Sequence, residues 1–154
     1  MADLIFDHFK AQILAGADVW TTAAVKALLV DNVTAYVPAQ SHNFLSDAKA
    51  ATPALTELST TGYTARGMAL ASKALTRDDA NSRIKIQASN VVWSALGPSS
   101  GGPTIRAVLL YIDTGTDSTS ELIAYLDSGG LLATNGGQVT INWNATIGGP
   151  MTLS

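Results

Sequence analysis

This chain has no cysteine, little charge and no long apolar run. Without cysteine, disulfides and Cys-bearing zinc sites are excluded, the redox compartment leaves no mark, and stability must come from packing. Charged residues fill 14% of the 154 positions, well below the roughly 25% of ordinary soluble domains. Thr, Ser, Ala, Asn and Gly must therefore cover much of the surface, which suits a protein that works against partners. The net charge is −3 and Lys and Arg nowhere cluster. That argues against a nucleic-acid binder, for which a basic patch is the rule. No stretch reaches the roughly 18 apolar residues of a membrane helix. The opening MADLIFDHFK carries acids where a signal peptide has its basic region, so no secretory leader is expected.

What is present is 47% apolar residue, spaced first for a helix and then for strands. The length suits a single domain, residues 1–154. Residues 4–14, LIFDHFKAQIL, place Leu4, Ile5, Phe9 and Ile13 near helical spacing. Asp3 stands ready to cap that helix and Gly16 to end it, giving an N-terminal helical segment over 1–16. From residue 20 the period becomes two. Strands are expected over 25–31, 68–76, 83–89, 90–96, 105–112, 122–126 and 138–144, so the β core spans 20–31 and 67–154. Between its parts, residues 32–62 show no clear period. SHNFLSDA within them reads as one helical turn capped by Ser41. So long a connection suggests a functional or interface segment. Several short strands between turn signals predict a mainly β fold: an antiparallel β-sandwich or barrel-like domain with a short N-terminal helix and a long irregular connection.

The strands are of two kinds. In 83–89, Ile84, Ile86 and Ala88 point inward and Arg83, Lys85 and Gln87 outward. In 138–144, Val139, Ile141 and Trp143 point inward. Strands 25–30, 105–112 and 122–126 are apolar on both faces. Ile105, Ala107, Leu109 and Tyr111 share one face of the second; Leu122, Ala124 and Leu126 oppose Ile123 and Tyr125 in the third. A sandwich uses one face for its core. The other must be covered by the N-terminal helix, by the 32–62 connection or by another subunit, or stay open as an interaction patch.

Chemistry is hard to find. The stretch DTGTDSTSE holds Asp113, Asp117 and Glu121, but Gly115 falls between the two aspartates, which is the wrong spacing for a calcium loop. A hairpin turn is expected there, and a solvated turn at Asp78, Asp79 and Asn81. His8 and His42 have no partner acid at ligand spacing, so no metal site is expected. No nucleophile motif and no phosphate-binding glycine loop is present. No catalytic residue and no cofactor are assigned, and the chain is not expected to be an enzyme. Trp20, Trp93 and Trp143 are either core or a sugar-binding face.

The order of motifs over almost the whole length resembles a family of small virion proteins of tailed bacteriophages: head decoration, cement or minor structural proteins. FDHFKAQILAG, VKALLVD, HNFLSD, TTGYTARG, VVWS, RAVLLYIDTGTDSTSELIAYLD and VTINWN follow one another as in that family. Gly62-Tyr63-Thr64 with Gly67, and the hairpin from Asp113 to Ser120, are the most specific pieces. Arg66 departs from the pattern, where a small residue is common, and so does Glu121, where proline is. The resemblance implies a capsid decoration protein on the virion surface. It would bind the assembled head lattice of a major capsid protein, often as a homotrimer, without catalysis and without nucleic-acid or membrane contact. The alternatives are a tail or fibre-base component and a carbohydrate-binding adhesin module. Contacts to partners or sister subunits are expected from Phe6, Phe9 and Ile13 and, in the connection, from Phe44 and Leu45. For the helix, packing within the chain is the competing expectation.

Overall fold

The computed structural model describes residues 3–143 and 151–153. As the sequence predicts, the fold is mainly β with antiparallel ladders and a short helix near the N-terminus. The central sheet is built around β7 (Thr104–Ile112), which pairs on one side with β2 (Val25–Asp31) and on the other with β8 (Leu122–Ala133). Two-residue strands finish its edges: β1 (Leu4–Ile5) beside β8 and β3 (Met68–Ala69) beside β2. A second sheet orders β10 (Met151–Leu153), β5 (Arg83–Gln87) and β4 (Ala74–Asp78). A third pairs β6 (Val91–Trp93) with β9 (Val139–Ile141). The helices are α1 (Asp7–Leu14) and α2 (Leu45–Ala50).

The central strands are apolar on both faces because the central sheet is a middle layer. Val25, Ala27 and Leu29 of β2 enter a core with Trp20, Ile86 and Trp93, contributed largely by the smaller sheets. Leu28 and Val30 point the other way, into a second core with Phe6, Tyr36, Leu45 and Leu55. Of the three candidates for covering the second face, the structure selects the 32–62 connection, joined by Phe6. Backbone bonds pin that segment down: Leu58 N donates to Leu29 O at 2.8 Å, Asp31 N to Thr56 O at 2.9 Å, and Leu45 N to Ser120 O at 2.8 Å. Burying each large side chain contributes about 1.5–3 kcal/mol, which offsets the cost of ordering an irregular segment. Leu45→Ala is expected to cost about 2–5 kcal/mol in a urea titration, because Leu45 is fully buried. A cost under about 1 kcal/mol would show that the connection is not part of the core.

Several expectations are corrected. The alternation in β7 breaks at a bulge between Ile105 and Ala107, so Ile105 packs with Val108 and Leu110, not with Ala107 and Leu109. A second irregularity at Leu110/Tyr111 re-phases β8: Leu122 and Tyr125 share one core while Ile123 and Ala124 enter the other. One extra residue on one strand moves every later side chain to the opposite face. The N-terminal helix starts at Asp7, because Leu4 and Ile5 pair with Tyr125 and Ala124. Asp3 accepts a bond from Asp127 N and caps nothing. Gly16 does end the helix, at φ +84° with its N–H on Ile13 O. Ser41 does not cap α2; Asp47 accepts from Asn43 N and Phe44 N, each at 2.9 Å. The expected strand 68–76 is two strands in different sheets, divided by a turn with Ser72 at φ +51°. Ile84 is 38% exposed, not inward. Residue 144, at the end of the expected last strand, lies outside the described residues.

Candidate functional site

The loop after β7 is a hairpin turn, as expected. Ser120 is buried; its hydroxyl donates to Thr116 O at 2.8 Å and accepts from Thr114 N at 3.2 Å. Asp113 closes the turn by accepting from Gly115 N at 3.0 Å. The acids, however, reach well beyond the turn. Arg66 Nε and Nη2 both donate to Asp113 Oδ1, at 2.9 and 2.6 Å, and Nη1 donates to Asp117 Oδ1 at 2.6 Å. Lys26 Nζ lies 2.6 Å from Asp113 Oδ2, and Lys49 Nζ 2.8 Å from Asp117 Oδ2. All four carboxylate oxygens thus face a cation. The arrangement ties β2, the 63–67 loop, the hairpin and α2 into one unit.

Arg66 is held at both ends of its residue. It sits at φ +69°, a conformation that costs a non-glycine residue about 1–2 kcal/mol. Glu57 accepts its backbone N–H, and the Tyr111 hydroxyl donates to its carbonyl at 2.7 Å. Its guanidinium carbon lies 6.0 Å from the Tyr111 ring centroid. Glu57 also accepts from the Tyr63 hydroxyl at 3.0 Å, and the Tyr63 ring stacks on Trp93. Burial pushes the Tyr63 and Tyr111 phenols up from their ordinary range. Strain of this kind persists where the surroundings over-determine it, and here it aims one guanidinium at two carboxylates.

The electrostatics follow. Burial pushes the Asp113 carboxyl up, but hydrogen bonds from Arg66 and Lys26 outweigh it and hold the group well below the usual carboxylate range. The bond from Lys49, and then that from Arg66, lower Asp117 against burial. Outside the cluster, the bond from Arg83 leads in lowering Asp78 to about 2. A carboxyl whose pKa is depressed by folding stabilises fully above its unfolded value near about 3.9, and that stability is lost as pH falls through the folded value. The domain is therefore expected to hold its stability down to about pH 4–5 and lose it steeply below. Urea midpoints measured from pH 7 to pH 2 check this; a midpoint that rises on acidification contradicts it.

The five residues expected to touch partners fall into two groups. Phe6, Phe9 and Leu45 are 0–1% exposed within the chain's own cores, which corrects their assignment as contact residues: intramolecular packing consumes them. Ile13 and Phe44 are half-buried and keep some free surface. His8, on α1, packs its ring against Phe44 and lies 3.5 Å from Glu121, which also accepts from Gln12 Nε2 at 2.7 Å. His42 hydrogen-bonds the buried Tyr36 hydroxyl at 2.8 Å. Among the described residues, no three His, Cys, Asp or Glu side chains converge as a metal cage. Trp20, Trp93 and Trp143 are all buried. Trp20 and Trp143 donate to the carbonyls of Gln87 and Ser89, so these three rings form no sugar-binding face.

Sequence reasoning missed Arg66 as an organiser and registered it only as a departure from a pattern. No local spacing connects residue 66 with residues 113 and 117; only the pairing of β3 with β2, and of β2 with β7, brings them together. Compared with protein-family models, curated proteins and solved structures, the chain finds no match.

Proposed function

We propose that this protein is a capsid decoration or cement protein. It binds the assembled head lattice of a tailed bacteriophage as a homo-oligomer and stabilises that lattice against disassembly. The observation that carries this reading is the order of motifs along the sequence, above all Gly62-Tyr63-Thr64 with Gly67, and the Asp113–Ser120 hairpin. Both belong to one clamp, in which Arg66 joins the loop of the first motif to the acids of the second. A rigid body with few charges suits binding by many weak copies: each ligand that favours the assembled state stabilises it by mass action, and multiple copies add. The apolar second face of the central sheet lends no support, since the chain covers that face itself. The major capsid protein is the partner in this reading, and no reaction is catalysed.

Co-sedimentation tests it. The purified protein is expected to pellet with expanded heads and to stay in the supernatant with unassembled capsid subunits. Failure to bind expanded heads overturns the reading, and binding to isolated tails replaces it with a tail or fibre-base role.

A further inference from the structure

Asn135 is the one asparagine of this chain followed by glycine. It lies exposed in the turn between β8 and β9. The buried Thr134 before it anchors that turn: its N–H and its hydroxyl both donate to Pro103 O, at 3.0 and 2.9 Å. Beyond Asn135 the turn is tied to the buried Leu96. Gly136 N donates to Leu96 O, and Leu96 N donates to Gly137 O, each at 2.9 Å. The Asn135 carboxamide folds back over its own turn, where Oδ1 accepts from Gly137 N at 3.1 Å.

We propose that Asn135 is a site of spontaneous deamidation, and that the bond from Gly136 N to Leu96 O sets its rate. The reaction begins when the backbone nitrogen of the next residue gives its proton to solvent base and attacks the side-chain Cγ. Glycine leaves that nitrogen unshielded by any side chain, and closing the ring within one chain has the advantage of proximity. The new N–Cγ bond completes a cyclic imide, the Cγ–Nδ2 bond breaks, and ammonia leaves. Water then adds to one imide carbonyl. Opening at Cγ gives aspartate; opening at the main-chain carbonyl gives isoaspartate. The Gly137 N–H already sits on Oδ1, where negative charge builds during the attack. The nucleophile, in contrast, is committed to Leu96 O, so attack waits for local opening of the turn. Asn81, before Ser82, is the nearest competitor. Its Nδ2 is tied to both Asp78 carboxylate oxygens at 3.0 Å, and Ser82 carries a side chain over the attacking nitrogen. Either product adds a negative charge. Isoaspartate also lengthens the main chain by a methylene between Thr134 and Gly136, the residues that fix the turn on its two sides. The reaction needs no partner and is independent of the capsid reading.

Peptide mapping by mass spectrometry tests it, on the full chain held folded and in urea at mildly alkaline pH, with hydrogen exchange of the Gly136 amide as the second measurement. Conversion at Asn135 is expected in both states, about tenfold or more slower in the folded one. The slowdown should match the exchange protection of the Gly136 N–H. Thr134→Val removes the hydroxyl anchor and keeps the backbone one, so it should raise exchange and conversion in the folded chain by the same factor, about fivefold. Equal conversion in the two states overturns the proposal. So does a folded chain still unconverted after the time its exchange protection predicts, conversion at Asn81 ahead of Asn135, or a Thr134→Val chain in which one rate rises without the other.

Discussion

Gly67→Ala is expected to cost more than about 4–5 kcal/mol of stability, enough to unfold a domain at the low end of the usual range. Gly67 sits at φ +72°, and a Cβ there would lie 2.1 Å from the Ala27 carbonyl oxygen and 2.9 Å from the Leu28 Cα. Both are backbone atoms of the central sheet. The chain cannot retreat, because Met68, the next residue, is paired with Ala27 itself. A clash of this kind belongs with the exceptional substitutions that cost more than about 4–5 kcal/mol, against a total stability of about 5–15 kcal/mol for a domain. Gly62→Ala should act alike: its Cβ would meet the Ala95 carbonyl oxygen at 1.7 Å. Gly115→Ala is the control. It too has positive φ, +84°, but nothing lies within 4 Å, so only the backbone preference of about 1–2 kcal/mol is lost. Circular dichroism and urea titration of the three variants check the ranking. A Gly67→Ala protein as stable as the Gly115→Ala protein contradicts the close approach of the 62–67 loop to the sheet.

The second large effect is expected at Arg66. Arg66→Ala should cost about 2–4 kcal/mol, somewhat less than the 3–5 kcal/mol typical of breaking a fully buried pair. The discount has two causes: the Arg66 side chain is 26% exposed, and Asp113 keeps Lys26. Arg66→Gly loses the same ion pairs but relieves the positive φ, so it should be about 1 kcal/mol more stable than Arg66→Ala. The acid limb should change as well. With the guanidinium gone, the Asp113 and Asp117 carboxyls move back toward ordinary values, and less stability is lost between about pH 4 and pH 2. Urea midpoints of parent and variant across that window read the difference. Superimposable acid limbs, or an Asp113→Asn/Arg66→Ala double variant showing simple additivity, contradict the clamp.

How far the sequence reached depended on whether a feature was periodic. The strand at 83–89 was legible from alternation, although it ends at Gln87; those at 25–31 and 105–112 were legible as short apolar runs, and so was the requirement for a second covering layer, because β2 and β7 left no polar face. The identity of the cover was not legible. Tyr36, Leu45 and Leu55 stand too far apart to show a period, and they meet only by folding against Leu28, Val30 and Leu109. The two bulges escaped notice because an extra residue leaves no mark in a strand that is apolar on both faces. Phe6, Phe9 and Leu45 suited a partner surface as well as a core on the sequence alone; the structure gives them to the core. The hairpin acids were legible as turn residues, but their role in positioning Arg66 was not, since it depends on pairings across the sheet.

Electron cryomicroscopy of the phage particle proposed to carry this chain tests the proposed role most directly. The prediction is repeated density of this fold on the outer surface of the head lattice, with the loops around Arg66 rigid and well defined. Density confined to the tail, or particles of normal composition from which the chain is missing, would contradict it.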